Sequence, residues 1–72
     1  MSTLIKELPD TRKAFCNLVG ALTTVYEMSG NPELRFHIRD CVLRAHNEGN
    51  IAPSELVQET FNPTVNEQGE WV

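Results

Sequence analysis

Ser29-Gly30-Asn31-Pro32 interrupts two long runs of helical periodicity, one over about residues 10–28 and the other over about 32–47. Gly30 suits the left-handed conformation that ends a helix, Asn31 offers a side-chain oxygen as N-cap to the next, and Pro32 fits the first helical position, where no N–H is needed. A joint this short predicts that the two helices fold back on each other as an antiparallel hairpin.

Working upstream, the first helix at about 100° per residue gathers Phe15, Leu18, Val19, Leu22, Val25 and Tyr26 on one side, widened by Ala14, Ala21 and Met28 to an arc of about 180°. Cys16, Asn17, Gly20, Thr23 and Thr24 fall on the polar remainder. One neighbouring helix needs a stripe only about 100° wide, so this arc predicts a second neighbour: the leader, a third helix or a second protomer. Phe15, Leu18, Leu22, Val25 and Tyr26 are the expected seam of the core or of a dimer.

Working downstream, Leu34, Ile38, Cys41, Val42 and Ala45 repeat at helical spacing and form the face expected against the first helix. Glu33, His37, Asp40 and Arg44 line one flank, and Arg35, Arg39 and His46 the other. Phe36 and Leu43, one heptad apart, point away from that face, where a bare hairpin would leave both in water. Glu48-Gly49-Asn50 ends the helix with Gly49 as the left-handed residue, and Pro53 opens a short third helix over about 53–61 that Asn62-Pro63 closes. The expected fold is therefore all-α: a helical hairpin with a short third helix, pairing as a homodimeric four-helix arrangement. Residues 1–72 read as one small domain with an apolar leader over 1–9 (Leu4, Ile5 and Leu8, closed by Pro9), a helical body over 10–61 capped by Asp10, and an acidic tail over 62–72.

A 72-residue chain buries only roughly 60% of the surface its unfolded form exposes, so it needs a staple. Two cysteines do not make a disulfide framework, and Cys16 and Cys41 fall on unlike faces, which predicts a free surface thiol and a buried small hydrophobe. The formal charge of −4 is unevenly placed. Residues 1–50 hold six basic and six acidic side chains, whereas 51–72 hold Glu55, Glu59, Glu67 and Glu70 and no Lys or Arg. Such a chain has a poor electrostatic start towards a phosphate backbone. The N-terminal residues lack the pattern of a signal peptide, and no apolar run approaches the ~20 residues of a membrane span, so the expected setting is the cytoplasm.

Little catalytic chemistry can be assembled. Glu33, His37 and Cys41 approach one side of the second helix, but a structural zinc wants four ligands and no fourth stands at a familiar spacing, so neither metal nor cofactor is expected. No phosphate loop or nucleophile-base arrangement is present, so no catalytic residues are assigned. The second and third helices could be read as a DNA-binding helix-turn-helix, yet the recognition helix would carry Glu55 and Glu59 without a basic residue. The tail has little apolar surface to offset its ordering entropy and is expected to be loose unless the hairpin, a symmetry mate or a partner holds it. Trp71 would then be either the anchor of a linear recognition segment or a cap on the core.

The expected function is non-enzymatic protein binding by a small acidic helical regulator or inhibitor that occludes or adapts a site on a larger protein. Phe36, Arg39, Leu43 and Trp71 are the expected contact residues. In size and plan the chain resembles the compact helical inhibitors and regulators encoded by phages and mobile elements. The alternatives are a helix-turn-helix transcriptional regulator and an acidic nucleic-acid mimic with an anti-defence role of the anti-CRISPR kind.

Overall fold

The joint closes as a hairpin, but by another device than the expected glycine. In a computed structural model, which describes residues 11–72, the helices are α1 (Thr11–Met28), α2 (Pro32–Gly49) and α3 (Glu55–Phe61), and α1 packs against α2. Asn31 is extended at φ −89°, and its Oδ1 accepts the Glu33 and Leu34 N–H groups at 2.9 and 3.1 Å, with Pro32 behind it at the helix start. That half of the joint follows the sequence reading.

The other half corrects it. Positive φ among the described residues occurs at Asn50, Asn62 and Gly69, and Gly30 is not left-handed. Instead the Arg35 guanidinium reaches back from α2 and donates through one nitrogen to the Tyr26 and Ser29 carbonyls, at 2.7 and 3.1 Å. The same group lies 4.1 Å from the centroid of the Tyr26 ring. A cation set at the negative end of a helix, donating to the Tyr26 carbonyl, which otherwise has only a long 3.4 Å contact from the Ser29 N–H, and to the Ser29 carbonyl just past the helix, satisfies that end without a left-handed glycine. Gly49 is likewise corrected: it remains helical, α2 runs two residues beyond the expected 47, and Asn50 takes the left-handed C-cap at φ 52°.

The third helix begins later than expected, at Glu55, because Ser54 is extended and its Oγ accepts the Val57 N–H at 3.3 Å. Asn62, at φ 48°, ends it. Val57 and Phe61 from α3 join Val19, Ile38 and Val42 as the buried cluster, with Phe15 and Tyr26 packed on its margin. The Tyr26 and Phe61 rings meet edge to face with centroids 4.6 Å apart.

This placement of α3 turns both long helices relative to the sequence reading. Thr23, assigned to the polar side, is buried on α1, and its Oγ1 donates to the Val19 carbonyl at 2.7 Å. His46, assigned to a polar flank, is buried on α2 and meets the Phe15 ring edge to face at 5.0 Å. Its Nδ1 lies 2.9 Å from the Val42 carbonyl, which can only accept, so Nδ1 carries the proton. Leu34 and Cys41, placed at the centre of the seam, are correspondingly 43% exposed and half-buried. Asp10 as N-cap and the leader 1–9 lie outside the described residues.

The tail forms a small β-hairpin clasp rather than a loose end. Thr64 and Val72 exchange both backbone hydrogen bonds, at 2.9 and 2.8 Å, across the antiparallel bridge of Val65 with Trp71. Asn66 builds the turn: its Oδ1 accepts from the Gln68 and Glu70 N–H groups at 3.0 and 2.8 Å, while Gly69 at φ 82° turns the chain. No strand longer than this bridge occurs among the described residues, and no described helix is long and apolar enough to cross a membrane.

Candidate functional site

Asn47 and Arg39, on one face of α2, fix the clasp. The Asn47 side chain pairs with both main-chain groups of Trp71, donating from Nδ2 to the carbonyl at 2.9 Å and accepting the N–H on Oδ1 at 2.8 Å. Arg39 donates from Nε to the Phe61 carbonyl at 3.0 Å and from Nη2 to the Val72 carbonyl at 3.4 Å. One guanidinium therefore joins the last residue of α3, the far strand of the clasp and α2.

The result is an open groove of about 230 Å³ bounded by Phe36, Arg39, Leu43, Asn47, Trp71 and Val72, with the Asp40–Arg44 ion pair on its rim. All four expected contact residues border it. They are not alike in exposure. Phe36 is 70% exposed, Arg39 and Trp71 are half-buried, and Leu43 is only 3% exposed. Leu43, which a bare hairpin would leave in water, is thus covered within the chain, and Phe36 is not; the sequence reading had no clasp to lay against α2. Asn47, which the sequence reading did not single out, is the residue that orients the Trp71 wall of the groove. Its signal was an amide positioned one turn after Leu43, on the side of α2 that Phe36 and Leu43 share.

A second uncovered surface lies on α1. Of the expected seam residues, Phe15 and Tyr26 pack inward, whereas Leu18 is 68%, Leu22 39% and Val25 47% exposed; Met28, at 81%, continues the strip. Ala14 and Ala21 are exposed along it as well.

The remaining chemistry is sparse. Cys41 Sγ lies 3.7 Å from His37 Nε2, and no group of three His, Cys, Asp or Glu among the described residues is arranged to hold a metal ion. Both cysteines are free thiols, Cys16 on the surface and Cys41 half-buried. Cys16 and His46 border one apolar cavity of about 90 Å³, but no hydrogen bond joins them and the protonated Nδ1 of His46 is turned to Val42. On α3 the carboxylates of Glu55 and Glu59 are exposed, and the helix carries no basic residue.

The described residues thus define a small all-α hairpin protein with a β-hairpin clasp and two uncovered apolar surfaces. Comparison with protein-family models, with curated proteins and with solved structures finds no match to this chain.

Proposed function

We propose that the protein is a non-enzymatic binding module: a homodimeric, acidic helical regulator that uses the groove beside Phe36 to occlude or adapt a site on a larger protein. The observation that carries this reading is Phe36 itself, 70% exposed on α2 beside the Arg39 guanidinium, which hydrogen-bonds the Phe61 carbonyl, and beside Trp71, whose main chain is anchored by Asn47. An aromatic anchor bordered by Arg and Trp is the composition that energetic centres of protein interfaces favour, and fixing those neighbours beforehand lowers the entropic cost of binding. The acidic balance and the bare carboxylates of α3 argue for a basic or neutral protein surface rather than a phosphate backbone.

Affinity capture from host lysate with wild-type and Phe36→Ala baits, followed by titration of the purified prey, tests the assignment. Because Phe36 lies outside the buried cluster, its truncation should leave folding stability within about 0.5 kcal/mol. Affinity for the prey should fall by at least about 2 kcal/mol. A prey that binds Phe36→Ala as tightly as wild type would remove the groove from the interface.

A further inference from the structure

The exposed strip on α1 has a regularity that hydrophobicity alone does not convey. Thr11, Ala14, Leu18, Ala21, Val25 and Met28 follow one another at spacings of three, four, three, four and three residues, and all six are exposed. Alternation of three and four is the narrow seam of a coiled coil, and it runs the whole length of α1. Phe15, Asn17, Leu22 and Thr24 flank it, so no charge lies beside the seam; Arg12, Lys13 and Glu27 are on the other side of the helix.

We infer that α1 is the self-pairing helix, packing antiparallel on α1 of a second copy in one particular register; this rests on the homodimeric reading above and specifies its interface. The choice of occupant follows from residue size. In an antiparallel pair related by a twofold axis near Val19 and Gly20, Leu18 faces the partner's Ala21, Val25 faces the partner's Ala14 and Met28 faces the partner's Thr11. Every large side chain then meets a smaller one, and by symmetry each pair occurs twice. The two alanines let the backbones approach towards the lower end of the ~8–10 Å range of helix packing. A parallel pair would instead stack Leu18 on Leu18 and Ala21 on Ala21, crowding one layer and leaving a void in the next. Antiparallel packing also sets the two helix dipoles head to tail. The seam draws on α1 alone, whereas the Phe36 groove is built from α2 and the clasp, so the two surfaces share no residue.

Register-specific cross-linking tests the pairing in the full chain with Cys16→Ser and Cys41→Ala. Residues 14 and 25 of one helix are about 16 Å apart along its axis, too far for a disulfide within the chain, since bridged Cα atoms lie no more than about 7 Å apart. The variant carrying both Ala14→Cys and Val25→Cys should therefore give a reducible covalent dimer under mild oxidation, while either substitution alone should remain monomeric on a non-reducing gel. Leu18→Glu is the companion variant for sedimentation equilibrium. It should retain wild-type helicity, because Leu18 is exposed in the protomer, and weaken association by about 100-fold or more, because pairing would bury an unmatched charge.

Single-cysteine variants that cross-link as well as the double variant, or a double variant that does not cross-link, would overturn the register. A Leu18→Glu protein that stays dimeric would overturn the α1 assignment while leaving self-association through another face. A wild type that remains monomeric to about millimolar concentration would overturn both and leave the Phe36 groove untouched. A monomer whose melting temperature falls with Leu18→Glu would put another segment of the same chain on α1, and would equally overturn the inference.

Discussion

If Arg35 closes the hairpin, replacing it should cost more than any change to the glycine in the joint. Arg35→Met keeps a stem of similar length and removes the two hydrogen bonds to the Tyr26 and Ser29 carbonyls together with the cation over the Tyr26 ring. A hydrogen bond from a charged donor contributes about 1.5–3 kcal/mol, but Arg35 is half-buried and water can reach the released carbonyls, so the lower end applies to the pair jointly. Loss of the ring contact adds about 0.5–1 kcal/mol. The expected total is about 2–2.5 kcal/mol, a large share of the roughly 4–11 kcal/mol ordinary for a chain of this length. For a domain this small that corresponds to a fall in Tm of about 10–20 °C. Thermal and urea melts followed by circular dichroism, at one fixed protein concentration, would measure it. Arg35→Lys should fall between the two, since an ammonium keeps the charge at the helix end but cannot span both carbonyls while stacking. An Arg35→Met protein within about 0.5 kcal/mol of wild type would refute the reasoning and return the closure of the joint to its backbone.

Two glycines should respond in opposite directions to alanine. Gly30→Ala should be neutral or stabilising by up to about 1 kcal/mol, because its φ is not positive and its Cβ would meet open space, whereas Gly69→Ala, at φ 82°, should cost about 1–2 kcal/mol and loosen the clasp. Chemical denaturation of both variants beside wild type decides it. Leu43→Ala should destabilise the free protein by about 2–5 kcal/mol, in contrast to the silent Phe36→Ala, since one residue is buried and the other is in water. Equal melts for the two would contradict the burial of Leu43 and the exposure of Phe36.

The helices and their joint were legible because their signals are local. Asn31 and Pro32 act on the next few N–H groups and do so whatever else the chain packs against. The apolar arc of α1 is legible as wider than one neighbour needs; which part of it turns inward is not, because that depends on where α3 lies. Thr23 and His46 show why a polar residue type can mislead. Thr23 spends its hydroxyl, and His46 its Nδ1 proton, on a carbonyl one turn earlier in its own helix, and a methyl group or a ring face is left to pack. Hydropathy assigns such residues outward, although the donor of each is satisfied within one turn. At the candidate site, Phe36, Arg39 and Trp71 were legible as chemistry, but the clasp that groups them depends on pairing between residues 64 and 72 and on Asn47. Its local mark, an Asn three residues before a Gly at the turn, was present in the tail and was outweighed there by low apolar content.

Asn47 and Arg39 grip the clasp only through its main chain: the Trp71 N–H and carbonyl and the Val72 carbonyl. Main-chain atoms are the same whatever residue bears them. The attachment is therefore indifferent to the identity of the exposed positions in the turn, where Glu67 and Gln68 stand. Their charge and shape are free to drift without loosening the hold on α2. The clasp is in this sense a socket for variable side chains held beside the C-terminal end of α2, where Gly69 and Glu70 lie with Asn47 and Asn50, and a new specificity could arise there by substitution in the turn alone while the helical body keeps its sequence.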